Sequence, residues 1–102
     1  MKAYLTSILT DALKQFDLES LPNIQIEKPR QPEHGDAATN VAMSLAGTLK
    51  DNPRNIAETI VQNLDYDERR IASVEVAGPG FINFRYAKDY LYDQLSGILK
   101  NP

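Results

Sequence analysis

Apolar side chains recur at helical spacing near the start of the chain: Leu5, Ile8, Leu9, Ala12, Leu13 and Phe16. That stripe predicts an amphipathic helix over residues 3–16. At 24–28 the period changes, with Ile24 and Ile26 set against Gln25 and Glu27. Strict alternation of this kind predicts a short strand with one buried face. A second helical stripe runs through Ala38, Val41, Ala42, Leu45, Ala46 and Leu49. Asp36, just before it, is a good N-cap residue, and the alanines suit close packing against a neighbour. Asn52-Pro53 restarts a helix, with Asn52 as cap and Pro53 at the first helical position. Its apolar face is Ile56, Ala57, Ile60, Val61 and Leu64. A charged connector, 65–70, leads to two strand-like runs at 71–77 and 81–86. Gly78-Pro79-Gly80 separates them, which predicts a β-hairpin. Pro79-Gly80 suits the centre of a type II turn, whose twist does not fit a tight two-residue hairpin, so a wider loop is expected. Residues 87–100 return to a helical pattern through Leu91, Leu95, Ile98 and Leu99.

The predicted order is α-β-α-α-β-β-α. Strands and helices do not alternate regularly, so the expected class is α+β. The expected architecture is a small antiparallel sheet of three to four strands with about four helices packed against one face. The chain has 102 residues, enough for one ordinary domain spanning 1–102. Pro29 and Pro32 forbid regular helix in the segment 29–36, and Gly35 permits an unusual turn there.

Charge narrows the functions that remain. The formal net charge is −3, from 14 acidic and 11 basic residues. A domain that grips nucleic acid chiefly by neutralising phosphates should be basic. Nucleic-acid contact by this chain must therefore be local, weak or assisted by another domain. There is no cysteine, which excludes disulfides, thiol nucleophiles and thiolate metal sites. Thr6, Ser7, Thr10 and Asp11 interrupt the N-terminal apolar positions. No signal peptide or membrane span is expected, and the expected compartment is the cytoplasm.

The strand at 81–86 carries the most informative chemistry. Alternate side chains of a strand share a face. Ile82, Phe84 and Tyr86 form one face and suit a core. Phe81, Asn83 and Arg85 form the other. A ring, an amide and a guanidinium in a row are the groups that hold an unstacked RNA base, by stacking, edge recognition and phosphate contact. The plainer reading is a mixed sheet surface on which Phe81 covers the turn.

Glu33-His34-Gly35-Asp36 places a carboxylate beside the only histidine and superficially resembles an acid–base pair. No nucleophile accompanies it, and one histidine with nearby carboxylates is a poor metal ligand set. The expectation is a loop tied down by side-chain hydrogen bonds, with no metal and no catalytic residue. Gly78-Pro79-Gly80 lacks the length and Lys-Ser/Thr ending of a phosphate loop and marks a turn. Lys28 with Arg30, and Arg69 with Arg70, are small basic groups that would meet a phosphate backbone if they flanked the Phe81 face.

Two segments resemble a known family. One is Pro-Arg-Gln-Pro-Glu-His-Gly-Asp-Ala-Ala-Thr-Asn-Val-Ala-Met at 29–43. The other is Val-Glu-Val-Ala-Gly-Pro-Gly-Phe-Ile-Asn-Phe at 74–84. Both are similar to the additional N-terminal domain of arginyl-tRNA synthetases, as is Asn52-Pro53-Arg54 followed by Ile56-Ala57. The order and spacing of the set cover essentially the whole chain. The resemblance implies an α+β domain that docks on the outer corner of tRNA near the D-loop. It implies that Phe81 and Asn83, after the Gly-Pro-Gly turn, contact a D-loop base. Glu33, His34, Gly35 and Asp36 match a hallmark loop whose implied role is structural. Ala37 departs from the family, where an aromatic residue often follows the aspartate. Sequences resembling the catalytic motifs His-Ile-Gly-His and Lys-Met-Ser-Lys-Ser are absent from these residues. The resemblance thus implies a non-catalytic domain with no cofactor of its own, beside a catalytic domain of the same chain that uses ATP. A small protein-interaction module presenting the Phe81 strand face is the alternative, and a hydrolase built on His34 and Asp36 is a third reading.

Overall fold

The computed structural model describes residues 1–18, 22–29 and 35–87. Within them, three α-helices and a four-stranded antiparallel sheet form an α+β fold. Helix α1 spans Lys2–Leu13 and runs into a 3₁₀ turn at Lys14–Phe16, close to the predicted helix. Its stripe performs as the spacing requires, with Leu5, Ile8, Leu9, Ala12 and Leu13 all buried. Strand β1 is only Ile26–Glu27. Helix α2 spans Val41–Leu49 and α3 spans Pro53–Gln62. The Asn52 side chain accepts the Arg54 backbone N–H at 2.8 Å, which is the cap expected there. Strands β3 (Ile71–Ala77) and β4 (Phe81–Tyr86) form the predicted hairpin.

One strand was not expected. Strand β2, Ala37–Thr39, precedes α2 and lies where a helix start was predicted. Asp36 is therefore not the helix cap. Asn40 holds that position, and its side chain makes no capping bond. The Val41 N–H instead reaches Thr39 Oγ1 at 3.3 Å. Non-local pairing overrides the helical tendency of two alanines, because Ala37 pairs with Phe84, Ala38 with Asn83 and Thr39 with Ile82. The helix predicted at 87–100 lies outside the described residues beyond Ala87.

The order across the sheet is β1-β2-β4-β3, so β4, the last strand among the described residues, is an inner one. One sheet face shares the core with the helices. Phe84, Ile82, Ala37 and Ile71 are buried there with Leu5, Leu9, Val41, Ile56 and Ile60. Each large apolar side chain withdrawn from water in this way contributes about 1.5–3 kcal/mol before entropy is charged against it. No helix among the described residues is long and apolar enough to cross a membrane.

Candidate functional site

Alternation along β4 separates two chemistries. Ile82 and Phe84 are fully buried on the helix side. Phe81, Asn83 and Arg85 fall on the opposite face, as the period of two demands. Phe81 is 39% accessible and is the one large exposed hydrophobic side chain among the described residues. Arg85 is exposed, opposite Ser73 on β3. Isolated exposed apolar residues are common, but this ring is followed two positions later by an amide on the same face.

Asn83 corrects an expectation. It was expected to face solvent as Phe81 does, yet it is only 9% accessible. Asn83 lies on an inner strand, between Ala38 of β2 on one side and Glu75 of β3 on the other. Glu27 is paired with Ala38 and extends that row across the sheet. Among the described residues no side-chain polar atom is both sealed from solvent and unpartnered.

The turn before Phe81 is held on three sides. The Gly80 N–H donates to the Ala77 carbonyl at 3.4 Å, which centres the turn on Gly78-Pro79 and not on Pro79-Gly80 as predicted. Gly78 at φ +56° takes the left-handed position that glycine permits. The loop is three residues long between the paired Ala77 and Phe81, wider than a two-residue hairpin, as expected. Gly80 is buried at φ +143°, and a Cβ on it would stand 2.9 Å from Pro53 Cβ. The turn thus rests on the first residue of α3. A Cβ on Gly78 would lie 3.7 Å from the Phe81 ring, so the ring flanks the turn.

The loop at 33–36 is described only from Gly35 onward; Glu33 and His34 lie outside the described residues. Gly35 and Asp36 both serve β4. The Asp36 N–H donates to the Phe84 carbonyl at 2.8 Å. The Asp36 carboxylate accepts the Tyr86 N–H at 2.7 Å. The motif at this end binds strand to strand. Among the described residues no group of three or more metal-ligating side chains comes together.

Arg69 and Arg70 do not flank the Phe81 turn. Arg69 and Arg70 precede Ile71, which pairs with Tyr86 at the end of the hairpin remote from Phe81. Arg70 lies over the Tyr4 ring at 4.9 Å from its centroid, a cation–π contact that ties β3 to α1. Arg30 lies outside the described residues. The cation beside the Phe81 turn is Arg54, whose Nη1 donates to the Gly78 carbonyl at 3.0 Å. Sequence reasoning missed it, because nothing local in the sequence links a helix start to a turn 24 residues later.

A small α+β domain with a ring and an amide on one sheet face is a class that many functions share. Comparison with known proteins resolves the family. The family model described as the arginyl tRNA synthetase N terminal domain matches residues 3–86. An arginine–tRNA ligase of Salinibacter ruber is 51% identical over 97% of this chain, and one of Geobacillus thermodenitrificans is 48% identical over 98%. The chain belongs to the family of arginyl-tRNA synthetase N-terminal domains. It spans 18% of the length of either relative. Among solved structures, the arginyl-tRNA synthetase of Thermus thermophilus superposes with TM-score 0.73 at 22% identity, over 88% of this chain and 14% of that one. The Plasmodium falciparum enzyme gives 0.76 at 18% identity, over 89% of this chain and 17% of that one. At these identities the two superpositions establish the shared fold.

Proposed function

We propose that this domain holds tRNA for an arginine–tRNA ligase, by taking an unstacked base of the D-loop corner onto Phe81 and Asn83. The exposed Phe81 ring, with the largely covered Asn83 amide two residues on along the same strand, is the observation that carries the reading. The ring stacks on the base, Asn83 meets its edge, and Arg85 meets phosphate. Residues 1–102 act as one domain without catalytic groups. ATP and arginine are handled by the rest of the chain, and the enzyme works in the cytoplasm.

The energetics favour a positioning role. Stacking contributes about 1–3 kcal/mol per base. One well-made base-edge contact adds about 1–3 kcal/mol of discrimination. Together these barely exceed the roughly 4 kcal/mol of a millimolar complex, before association entropy is subtracted. The net charge of −3 adds no general attraction to phosphate. Tethering beside the main tRNA site supplies the missing affinity through effective concentration.

Arginylation kinetics of the full-length Phe81→Ala protein test the reading. The expected result is a KM for tRNA raised by about tenfold or more, the loss of one stacked base, with the KM values for ATP and arginine unchanged. An unaltered KM for tRNA overturns it and favours the alternative, a protein-interaction surface centred on Phe81.

A further inference from the structure

The group that anchors the turn beside Phe81 is not on the hairpin. It is the Arg54 guanidinium, one residue inside α3, whose Nη1 donates to the Gly78 carbonyl at 3.0 Å. Pro53 presses on the same turn, since a Cβ on Gly80 would come within 2.9 Å of Pro53 Cβ and 3.1 Å of the Pro53 carbonyl. The start of α3 is itself fixed, because Asn52 caps it through the Arg54 N–H at 2.8 Å. Glu58, one turn along the helix, faces Arg54 Nε at 3.6 Å and steadies the fork. The turn therefore has two supports on one rigid helix end, one steric and one a hydrogen bond.

The turn needs such support. Two of its three residues are glycines at positive φ, which have more conformational freedom than any other residue. Phe81 follows Gly80 directly, and its ring flanks Gly78. A small rotation at either glycine moves the ring relative to Asn83, and base stacking requires ring and amide together.

We propose that Arg54 is a positioning residue for the Phe81 surface, fixing the Gly78–Gly80 turn to α3 and thereby setting where the ring stands. The proposal rests on the base-stacking reading above. Its action runs through a hydrogen bond to a carbonyl and not through charge. A lysine, which keeps one donor on a long stem, retains part of it.

The test is tRNA-dependent arginylation by the full-length protein carrying Arg54→Met, Arg54→Lys, Phe81→Ala and the double substitution Arg54→Met with Phe81→Ala. Arg54→Met is expected to raise the KM for tRNA about three- to tenfold with kcat little changed, the pattern of a lost binding contribution. Arg54→Lys is expected to recover part of the loss. In the double variant, Arg54→Met should add nothing to Phe81→Ala, because one acts through the other. The slope of log KM against log salt should be the same in Arg54→Met and wild type. Multiplicative effects, or a slope smaller by about 0.7–0.9, mark an independent phosphate contact by Arg54 and overturn the proposal. A wild-type KM in Arg54→Met beside a raised one in Phe81→Ala overturns it while sparing the stacking reading. An unchanged KM in Phe81→Ala overturns both.

Discussion

The Asp36 carboxylate accepts the backbone N–H of Tyr86 at 2.7 Å, 50 residues further along the chain. It stands where β2 has ended but β4 continues, so a side chain takes over the ladder from the backbone. The bond is solvent-exposed, which limits its value to about 0.5–1.5 kcal/mol. Asp36→Ala should lower the urea midpoint by a corresponding amount at unchanged m-value. Asp36→Asn, which keeps an acceptor oxygen, should lose less. Equal stability of all three proteins would show that the bond contributes nothing.

Gly35 is confined more severely. Its φ is +114°, and an added Cβ would meet the Phe84 carbonyl oxygen at 2.7 Å. That oxygen belongs to the backbone of an inner strand and cannot swing aside. Gly35→Ala should therefore cost about 1–3 kcal/mol through strain and strand displacement. The larger effect relative to Asp36→Ala is the discriminating result in the same denaturation series.

Lys50 offers the opposite sign. It ends α2 at φ 53° and ψ 44°, a left-handed conformation that an L-residue adopts only at a cost. Its N–H and that of Asp51 both donate to the Ala46 carbonyl, so the helix terminus depends on this geometry. Glycine adopts it freely, and Lys50→Gly should gain about 0.5–1 kcal/mol after the entropy of the unfolded chain is deducted. A lower thermal midpoint in the variant would contradict this.

Much of the fold was legible where periodicity is strong. The stripes of α1 and α3 and the alternation of β3 and β4 depend on local pattern, and the structure follows them. Strand β2 was illegible because Ala37-Ala38-Thr39 is too short to show a period and continues the alanines of the next helix. That single omission propagated to the site. Without β2, the Phe81, Asn83 and Arg85 face of β4 reads as open to solvent throughout. With β2 in place β4 is an inner strand, and Asn83 is mostly covered. Phe81 escaped this error because it lies at the strand end, opposite Ala77 and beyond the reach of β2. The Arg54 contact with the turn was illegible for a different reason: its partner is a backbone carbonyl, and a carbonyl has no residue type to recognise.

The strand order β1-β2-β4-β3 also dictates when the sheet is completed during synthesis. A ribosome delivers residues from the N-terminus, so β2 and β3 emerge before the strand that lies between them. Until Phe81–Tyr86 clears the exit tunnel, β3 has no partner in the sheet and β2 only the two residues of β1. Ile82 and Phe84, central to the apolar interior, arrive with that same strand. Among the described residues, β4 is therefore the strand whose arrival joins β3 to β2 and brings the Phe81 surface with it.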